Sequence, residues 1–524
     1  MGLKEKFMSV LKVTDVSFSF GNRTILENAS FVLQKGEHVG LIGLNGEGKS
    51  TFIKMITGAL TPDSGKIEWC KRITTGYLDQ YTSLTKGKTI REVLREAFQT
   101  MYDLEKELNQ MYEKMCDCTE EEMNTLLEET GEIQSELEAS GFYSLEAKIE
   151  EVANGLGLGE LGLDHDVANL SGGQRSKVLL TKLLLAQPMI LILDEPTNFL
   201  DEAQVNWLRN YLQGYENAFI LVSHDVSFLN SVINVIYHME DGTLTRYTGN
   251  YDSFMQMYEL RKRQQNIAYE KQQKEIKDLK EFIAKNKARV ATTDLAKSRQ
   301  RRLDKMEIID KAKEQIKPNF KFKESGASGK FVITANDLVI GYNEPLSAKL
   351  NFTIERGKKV VIKGANGIGK TTLLKTLLGL LPPLSGECKL DYNIHYGYFA
   401  QEESNSKHTA HEEIWNAYPS MTNAEVRGAL AACGLNKDKI ESLMMVLSGG
   451  EAAKVRLCKI MLKECNTLIL DEPTNHLDVL AKEALKEALL AFKGTIVLVC
   501  HEADFYQGLV TDVLDAEQWT TKLI

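Results

Sequence analysis

Two apolar patterns recur along the chain. The first is a short unbroken run: Val39 to Ile42, Leu191-Ile192-Leu193, Val360 to Ile362 and Leu468-Ile469-Leu470. Runs this short predict strands. The second is a stripe at helical spacing. Leu104, Leu108, Met111 and Met115 follow a 4-3-4 rhythm, and Met123, Leu126, Thr130, Ile133 and Leu137 follow 3-4-3-4. With a capping box of Thr119 and Glu122 between them, these stripes predict an antiparallel helical hairpin. Ile276, Leu279 and Ile283 predict another helix. Leu303, Met306, Ile309, Ala312 and Ile316 predict its return partner, with a turn at Arg289-Val290-Ala291-Thr292-Thr293-Asp294.

The strand-like runs end in chemistry, and they do so twice. Gly43-Leu44-Asn45-Gly46-Glu47-Gly48-Lys49-Ser50-Thr51 and Gly364-Ala365-Asn366-Gly367-Ile368-Gly369-Lys370-Thr371-Thr372 each carry G-x-x-x-x-G-K-[ST]. Glycines there let backbone N–H groups turn toward phosphates at a helix N-terminus, the lysine adds charge, and Ser50 or Thr371 offers a hydroxyl to Mg²⁺. The other runs end in Asp194-Glu195 and Asp471-Glu472, each followed by Pro-Thr-Asn. A strand-end aspartate suits Mg²⁺, and its neighbour can polarise an attacking water. Leu170-Ser171-Gly172-Gly173-Gln174 and Leu447-Ser448-Gly449-Gly450-Glu451 each precede a helical pattern and offer a second anion-accessible N-terminus.

Spacing ties these pieces together. Lys49 to Gln80 and Lys370 to Gln401 are both 31 residues; Leu170 to Asp194 and Leu447 to Asp471 are both 24; Asp194 to His224 and Asp471 to His501 are both 30. One phosphate-loop match is weak, and a lone Asp-Glu is commonly a solvated strand end. Two copies in register predict a tandem nucleotide-binding repeat. The expected fold is α/β: two tandem P-loop domains, with a helical hairpin inserted in the first and another joining the two.

With the signature, the Q-loop glutamines and the switch histidines in place, the sequence resembles ATP-binding-cassette ATPases. The resemblance implies two composite head-to-tail sites binding ATP and Mg²⁺. One combines Lys49, Ser50, Gln80, Asp194, Glu195 and His224 with Ser448 and Gly450. The other combines Lys370, Thr371, Gln401, Asp471, Glu472 and His501 with Ser171 and Gly173. Gln80 and Gln401 are implied Mg²⁺ ligands, the glutamates are implied catalytic bases, and the histidines are implied γ-phosphate contacts. Phe20 and Tyr342, each beside a glycine, resemble the aromatic residue that stacks on adenine; each is equally explained as an ordinary strand aromatic. The copies depart from one another at three places. Phe199 stands opposite His476, Cys500 opposite Ser223, and Glu502 opposite Asp225. None removes a P-loop lysine, a glutamate or a switch histidine, so both sites are expected to be competent.

Composition and charge sharpen the rest. A length of 524 residues, 43% hydrophobic and 26% charged, fits several globular domains. No apolar run reaches transmembrane length and Met1 to Val10 shows no signal-peptide pattern, so a cytoplasmic protein without membrane spans is expected. The 8 cysteines form no disulfide or zinc framework, and Cys116-x-Cys118 lacks partner ligands. The first copy carries 44 extra residues between Gln80 and Leu170, placed at 97–140, with 13 acids against 2 lysines. That arm is expected to avoid phosphate backbones and prefer a basic protein surface, or to be a solvated decoration. Between Arg261 and Lys317, 18 Lys+Arg face 9 acids, a net +9 in a chain of net −10. Lys285, Lys287, Arg289, Lys297, Arg299, Arg301 and Arg302 gather at the expected hairpin tip, favouring RNA phosphates over the plainer reading of a solvated charged helix.

Tandem cassettes, an inserted arm and a charged helical linker resemble the ABC-F family, as do Tyr247-Thr248-Gly249-Asn250-Tyr251 and Ala296-Lys297-Ser298-Arg299. The implied layout is a first cassette at 9–251 holding the arm at 97–140, a linker at 252–330 and a second cassette at 331–524. The resemblance implies an ATPase that binds the bacterial ribosome at the tRNA exit site as an ATP-bound, internally paired monomer. Its linker would be directed toward P-site tRNA, large-subunit rRNA and the peptidyl-transferase centre, and its arm toward large-subunit protein. A translation factor is expected; an antibiotic-resistance ribosomal protection protein is the alternative. Of other classes, a transporter ATPase subunit is disfavoured by the basic linker, and a module using ATP only as glue is disfavoured by the intact glutamates.

Overall fold

The computed structural model describes residues 9–21, 23–71, 73–78, 87–115, 119–286, 293–311, 317–401 and 406–520. Its contacts divide into one unit of 1–246 with 317–524 and a second of 247–316.

In the first unit both sequence copies build the same parallel core sheet. The first copy orders its strands Thr75–Tyr77, Ile190–Asp194, Ala218–Val222, His38–Ile42 and Val235–Glu240, and continues into Thr243–Thr248. The second orders Tyr396–Phe399, Thr467–Asp471, Thr495–Val499, Lys359–Lys363 and Asp512–Asp515. Register repeats as well: Asp194 pairs with Val222 and Asp471 with Val499. The unbroken apolar runs have their reason here, because helices and a second sheet cover these strands and bury Leu191, Ile192, Leu468 and Ile469 completely. That second sheet is antiparallel in each copy, with Ser9–Phe20 central in one and Phe331–Val339 in the other.

The arm is two packed helices, Gln99–Met115 and Glu120–Ala139. Leu108, Thr130 and Leu137 are buried between them, and the other stripe residues are half-buried. Cys116, Cys118 and the side chain of Glu122 lie outside the described residues. At the arm's base Glu146 gathers Arg95 at 2.6 Å, the Tyr102 hydroxyl at 2.7 Å and Arg91 at 2.9 Å. The Arg95 hydrogen bond leads in holding its carboxyl down near 2.

The second unit holds a helix of 36 residues, Tyr251–Asn286, and a shorter one, Thr293–Asp304. The return leg corrects the sequence expectation in two ways. Thr293 and Asp294 begin the second helix rather than closing a turn, and that helix stops at Asp304, so Met306 and Ile309 sit in extended chain. The cause is side-chain competition for the backbone. Gln272 accepts from the Ile309 N–H at 2.8 Å and donates to the Glu307 carbonyl at 2.6 Å, and Gln265 donates to the Asp310 carbonyl at 3.1 Å. Those groups are thereby satisfied without a helix. Residues 287–292, with Lys287 and Arg289, and 312–316, with Ala312 and Ile316, lie outside the described residues. Beyond Lys317, Phe320 and Phe322 join the buried core of the second cassette.

Two facing nucleotide sites

Each P-loop runs from a central strand into a helix, Lys49–Ile56 or Lys370–Leu377. The turn demands glycine: Gly48 and Gly369 cap these helices at φ 107° and 109°. The lysine ammonium groups are buried over the loops. Lys49 donates to the Gly43 and Leu44 carbonyls at 2.7 and 3.1 Å, and Lys370 to Gly364 and Ala365 at 2.7 and 2.8 Å. Burial lowers both, Lys370 to about 8. Thr51 and Thr372 lie on the first helical turns. Gly46 and Gly367 turn the loops at φ 85° and 80°.

Ser50 donates to Asp194 at 3.2 Å, and Thr371 to Gln401 at 3.3 Å. Both carboxylate oxygens of Asp471 are buried and meet no hydrogen bond of full geometry among the described residues; the nearby Thr371 hydroxyl lowers its carboxyl, but burial outweighs it and raises it to about 6. Asp194 is likewise raised by burial. Gln80 lies outside the described residues.

The glutamates carry a feature that motif spacing does not announce. Glu195 and Glu472 have φ 50° and 49°, a conformation L residues rarely adopt. Each is held there by its own N–H, donated to Val222 or Val499 across the sheet at 2.9 and 3.0 Å. Strain of this kind costs about 1–3 kcal/mol per residue.

Around the side chains the copies diverge. Glu472 receives His501 on one oxygen at 3.1 Å and Gln401 and Asn475 on the other, both at 2.7 Å. Burial pushes this carboxyl up, yet His501, Lys370 and Asn475 together hold it below its ordinary value. Glu195 accepts the His224 backbone N–H at 3.3 Å on one oxygen, while the other has no partner among the described residues. Burial, aided by Asp194, lifts it to about 8. His224 Nε2 lies 3.6 Å away, but burial and Lys49 lower its ring to about 3, so the pair is neutral at ordinary pH.

The signature glycines open the helices Gly172–Ala186 and Gly449–Leu462. Ser171 and Ser448 cap them, each accepting from the third helical N–H at 3.3 Å in a full capping box. The P-loop of one copy meets the other copy here. Asn45 donates to the His476 carbonyl at 3.1 Å, and a Cβ on Gly450 would lie 2.3 Å from the Asn45 amide nitrogen. Asn366 donates to the Phe199 carbonyl at 3.2 Å, and a Cβ on Gly173 would lie 3.6 Å from that of Phe199. Both bonds end on a backbone carbonyl, so replacing histidine with Phe199 leaves the acceptor intact. A cavity of about 490 Å³ between the copies is bordered by both glutamates and both switch histidines.

Phe20 and Tyr342 are 54% and 59% exposed, and the Phe20 ring packs edge to face with Phe18. In the second unit the side chains of Lys285, Lys297, Arg299, Arg301 and Arg302 are on the surface; Arg302 pairs with Glu275 at 2.5 Å and Arg299 lies 5.9 Å over Phe282. Among the described residues no helix is long and apolar enough to cross a membrane.

Sequence reading missed one buried pair, Lys177 and Lys454, six residues after each signature serine. Lys454 bonds Asp478 at 2.7 Å and Lys177 bonds Gln204 at 2.7 Å, fastening each signature helix to the segment after its own Pro-Thr-Asn. Their matched spacing was the available signal.

A family model described as ABC transporter matches residues 26–198 and again 348–475, and a second, also described as ABC transporter, matches 237–322. An uncharacterized ABC transporter ATP-binding protein of Bacillus subtilis, YfmM, is 56% identical over 99% of this chain and 100% of its own length. ABC transporter F family member 2 of Arabidopsis thaliana is 35% identical over 97% of this chain and 76% of its own. Among solved structures, a complex of an archaeal ribosomal stalk protein with the archaeal ribosome recycling factor aABCE1 aligns at a TM-score of 0.59, covering 96% of this chain and 87% of that one. At 21% identity, that likeness is one of fold. Duplicated cassettes that face one another, matched along nearly their whole length by such relatives, place this chain in the ABC-F family of tandem ATP-binding-cassette ATPases.

Proposed function

We propose that this ATPase binds the bacterial ribosome at the tRNA exit site while two ATP molecules hold its cassettes together. Its basic helical unit is then directed toward P-site tRNA and the peptidyl-transferase centre, where it acts in translation. The observation that carries this reading is the exposed cationic cluster of Lys285, Lys297, Arg299, Arg301 and Arg302 on a narrow helical pair. An exposed cationic cluster suits the phosphates of a folded RNA. The bacterial setting is supported by the extent of likeness to the Bacillus subtilis relative.

Within each site the roles follow from the geometry. Backbone N–H groups of Gly46 and Gly48, or Gly367 and Gly369, cradle phosphates; Lys49 and Lys370 neutralise them; Ser448, Gly449 and Gly450, or Ser171, Gly172 and Gly173, close the site from the opposite copy. Glu195 and Glu472 accept a proton from the attacking water, with His224 and His501 beside them. Phe20 and Tyr342 offer stacking faces to adenine.

The residues present suit Mg²⁺. Among the described residues Asp471 has two buried oxygens without a hydrogen bond of full geometry, which a divalent ion would satisfy. Thr371, Asp471 and Gln401 would hold it in one site, and Ser50, Asp194 and Gln80 in the other. When bound, it neutralises charge developing on the γ-phosphate.

The test is co-sedimentation of the Glu195→Gln, Glu472→Gln protein with ribosomes, with ATP and without nucleotide. ATP-dependent retention is expected. A folded, ATP-loaded protein that fails to pellet with ribosomes would overturn the proposal. Co-fractionation with membranes instead would revive the transporter-subunit reading.

A further inference from the structure

Lys482 lies on the helix Val479–Ala491 of the second cassette, 11 residues after Asp471. Its ammonium sits 2.8 Å from both carboxylate oxygens of Glu502 and 3.5 Å from the backbone carbonyl of His224 in the first cassette. The side chain is only 14% exposed, so solvent screens these contacts weakly. Glu502 directly follows His501, which bonds Glu472. A continuous path therefore runs from Glu472 through His501, Glu502 and Lys482 to His224, whose N–H bonds Glu195. Each end of the path is a glutamate at the end of a strand.

The tie is not duplicated at the matching position of the first copy. Val205 stands 11 residues after Asp194, where Lys482 stands after Asp471, and it has no donor to offer. The two acidic residues beside the switch histidines have diverged to match. Asp225 accepts the Phe228 N–H at 2.9 Å and caps a helix of seven residues, Val226–Val232. Glu502 makes no such cap, its helix Ala503–Tyr506 is four residues long, and its extra methylene carries the carboxylate to Lys482 instead. The aspartate-to-glutamate difference thus exchanges a local cap for an ion pair with the lysine that itself reaches the first copy.

We propose that Lys482 is a positioning residue that ties the two switch loops together, so that the state of the second site bears on the placement of His224 beside Glu195 in the first. This rests on the assignment of the two composite sites above. Movement of His501 on binding or losing a γ-phosphate shifts Glu502, and Lys482 passes that shift to the His224 carbonyl. The same tie returns a shift of His224 to Glu502.

The experiment measures steady-state ATP turnover of the full chain with one site silenced at a time. In the Glu472→Gln background, which reports the first site, adding Lys482→Met is expected to lower kcat by about fivefold or more, the lower range of typical site-to-site coupling, with a smaller change in KM. Lys482→Arg is expected to restore most of that loss. In the Glu195→Gln background, which reports the second site, Lys482→Met is expected to lower kcat as well, because Glu502 beside His501 loses its partner. Val205→Ala is the control and leaves both rates near their starting values; thermal melting confirms that each variant is folded. No loss in the first background, or a loss there that Lys482→Arg does not restore, would overturn the proposal while leaving the sites standing. Turnover indifferent to both glutamate changes would remove the site assignment and the proposal with it.

Discussion

Glu472 is gripped by Gln401, Asn475 and His501, whereas Glu195 receives one backbone N–H and keeps an oxygen without a partner among the described residues. Both residues end the same strand, share the same positive φ and precede the same Pro-Thr-Asn. Their surroundings nonetheless push them apart. One carboxyl is held below its ordinary value, and the other is lifted to about 8. A motif fixes where a carboxylate sits; the donors that reach it fix whether it is charged, and so whether it is ready to take a proton from water.

The strongest way to break this comparison is to remove both bases. Glu195→Gln with Glu472→Gln should lower ATP turnover by about 100-fold or more, the scale of a lost general base, while ATP binding measured by filter retention persists. Unchanged turnover would show that neither carboxylate is the base. A subtler test uses pH. With Glu472→Gln only the first site turns over, and its base must lose a proton that it holds up to about 8. Its rate should therefore rise roughly tenfold between about pH 7 and about pH 9, as a single group titrates. With Glu195→Gln the second site should not rise across that window, because its base is ionised throughout while Lys370, lowered by burial to about 8, loses charge there. Matching profiles would erase the difference between the sites.

Smaller effects should follow from single contacts. Asn475→Ala removes one donor from Glu472 and should lower second-site turnover by about fivefold, the equivalent of one hydrogen bond of about 1 kcal/mol. Phe199→His should change turnover by less than about twofold, because Asn366 bonds the backbone carbonyl and not the side chain. A large effect there would mean that the ring itself contributes.

The duplicated sheets were legible because identical spacing between loop, signature, acid pair and histidine leaves little room for a different strand order. The arm was legible because its stripe residues are the ones its two helices bury. The return leg of the second unit was not. Met306 and Ile309 keep helical spacing, yet Gln272, 37 residues before Ile309, claims the backbone there. Periodicity describes one segment at a time and is blind to a side chain arriving from another. The same limit hid the positive φ of the glutamates, set by an N–H bond to the neighbouring strand, and the reach of Lys482 into the other copy.

The capped signature serines have a further consequence. Each hydroxyl oxygen already accepts one hydrogen bond from its own helix, and its hydrogen remains to be offered outward. A phosphate oxygen can only accept. Each serine is thus a one-way reader of a terminal phosphate, and it stands on the opposite copy from the loop that holds that phosphate. Losing one γ-phosphate leaves one reader without its object while the other still grips. Under the proposed function, release then becomes a two-count event, with residence on the target set by the slower of two clocks.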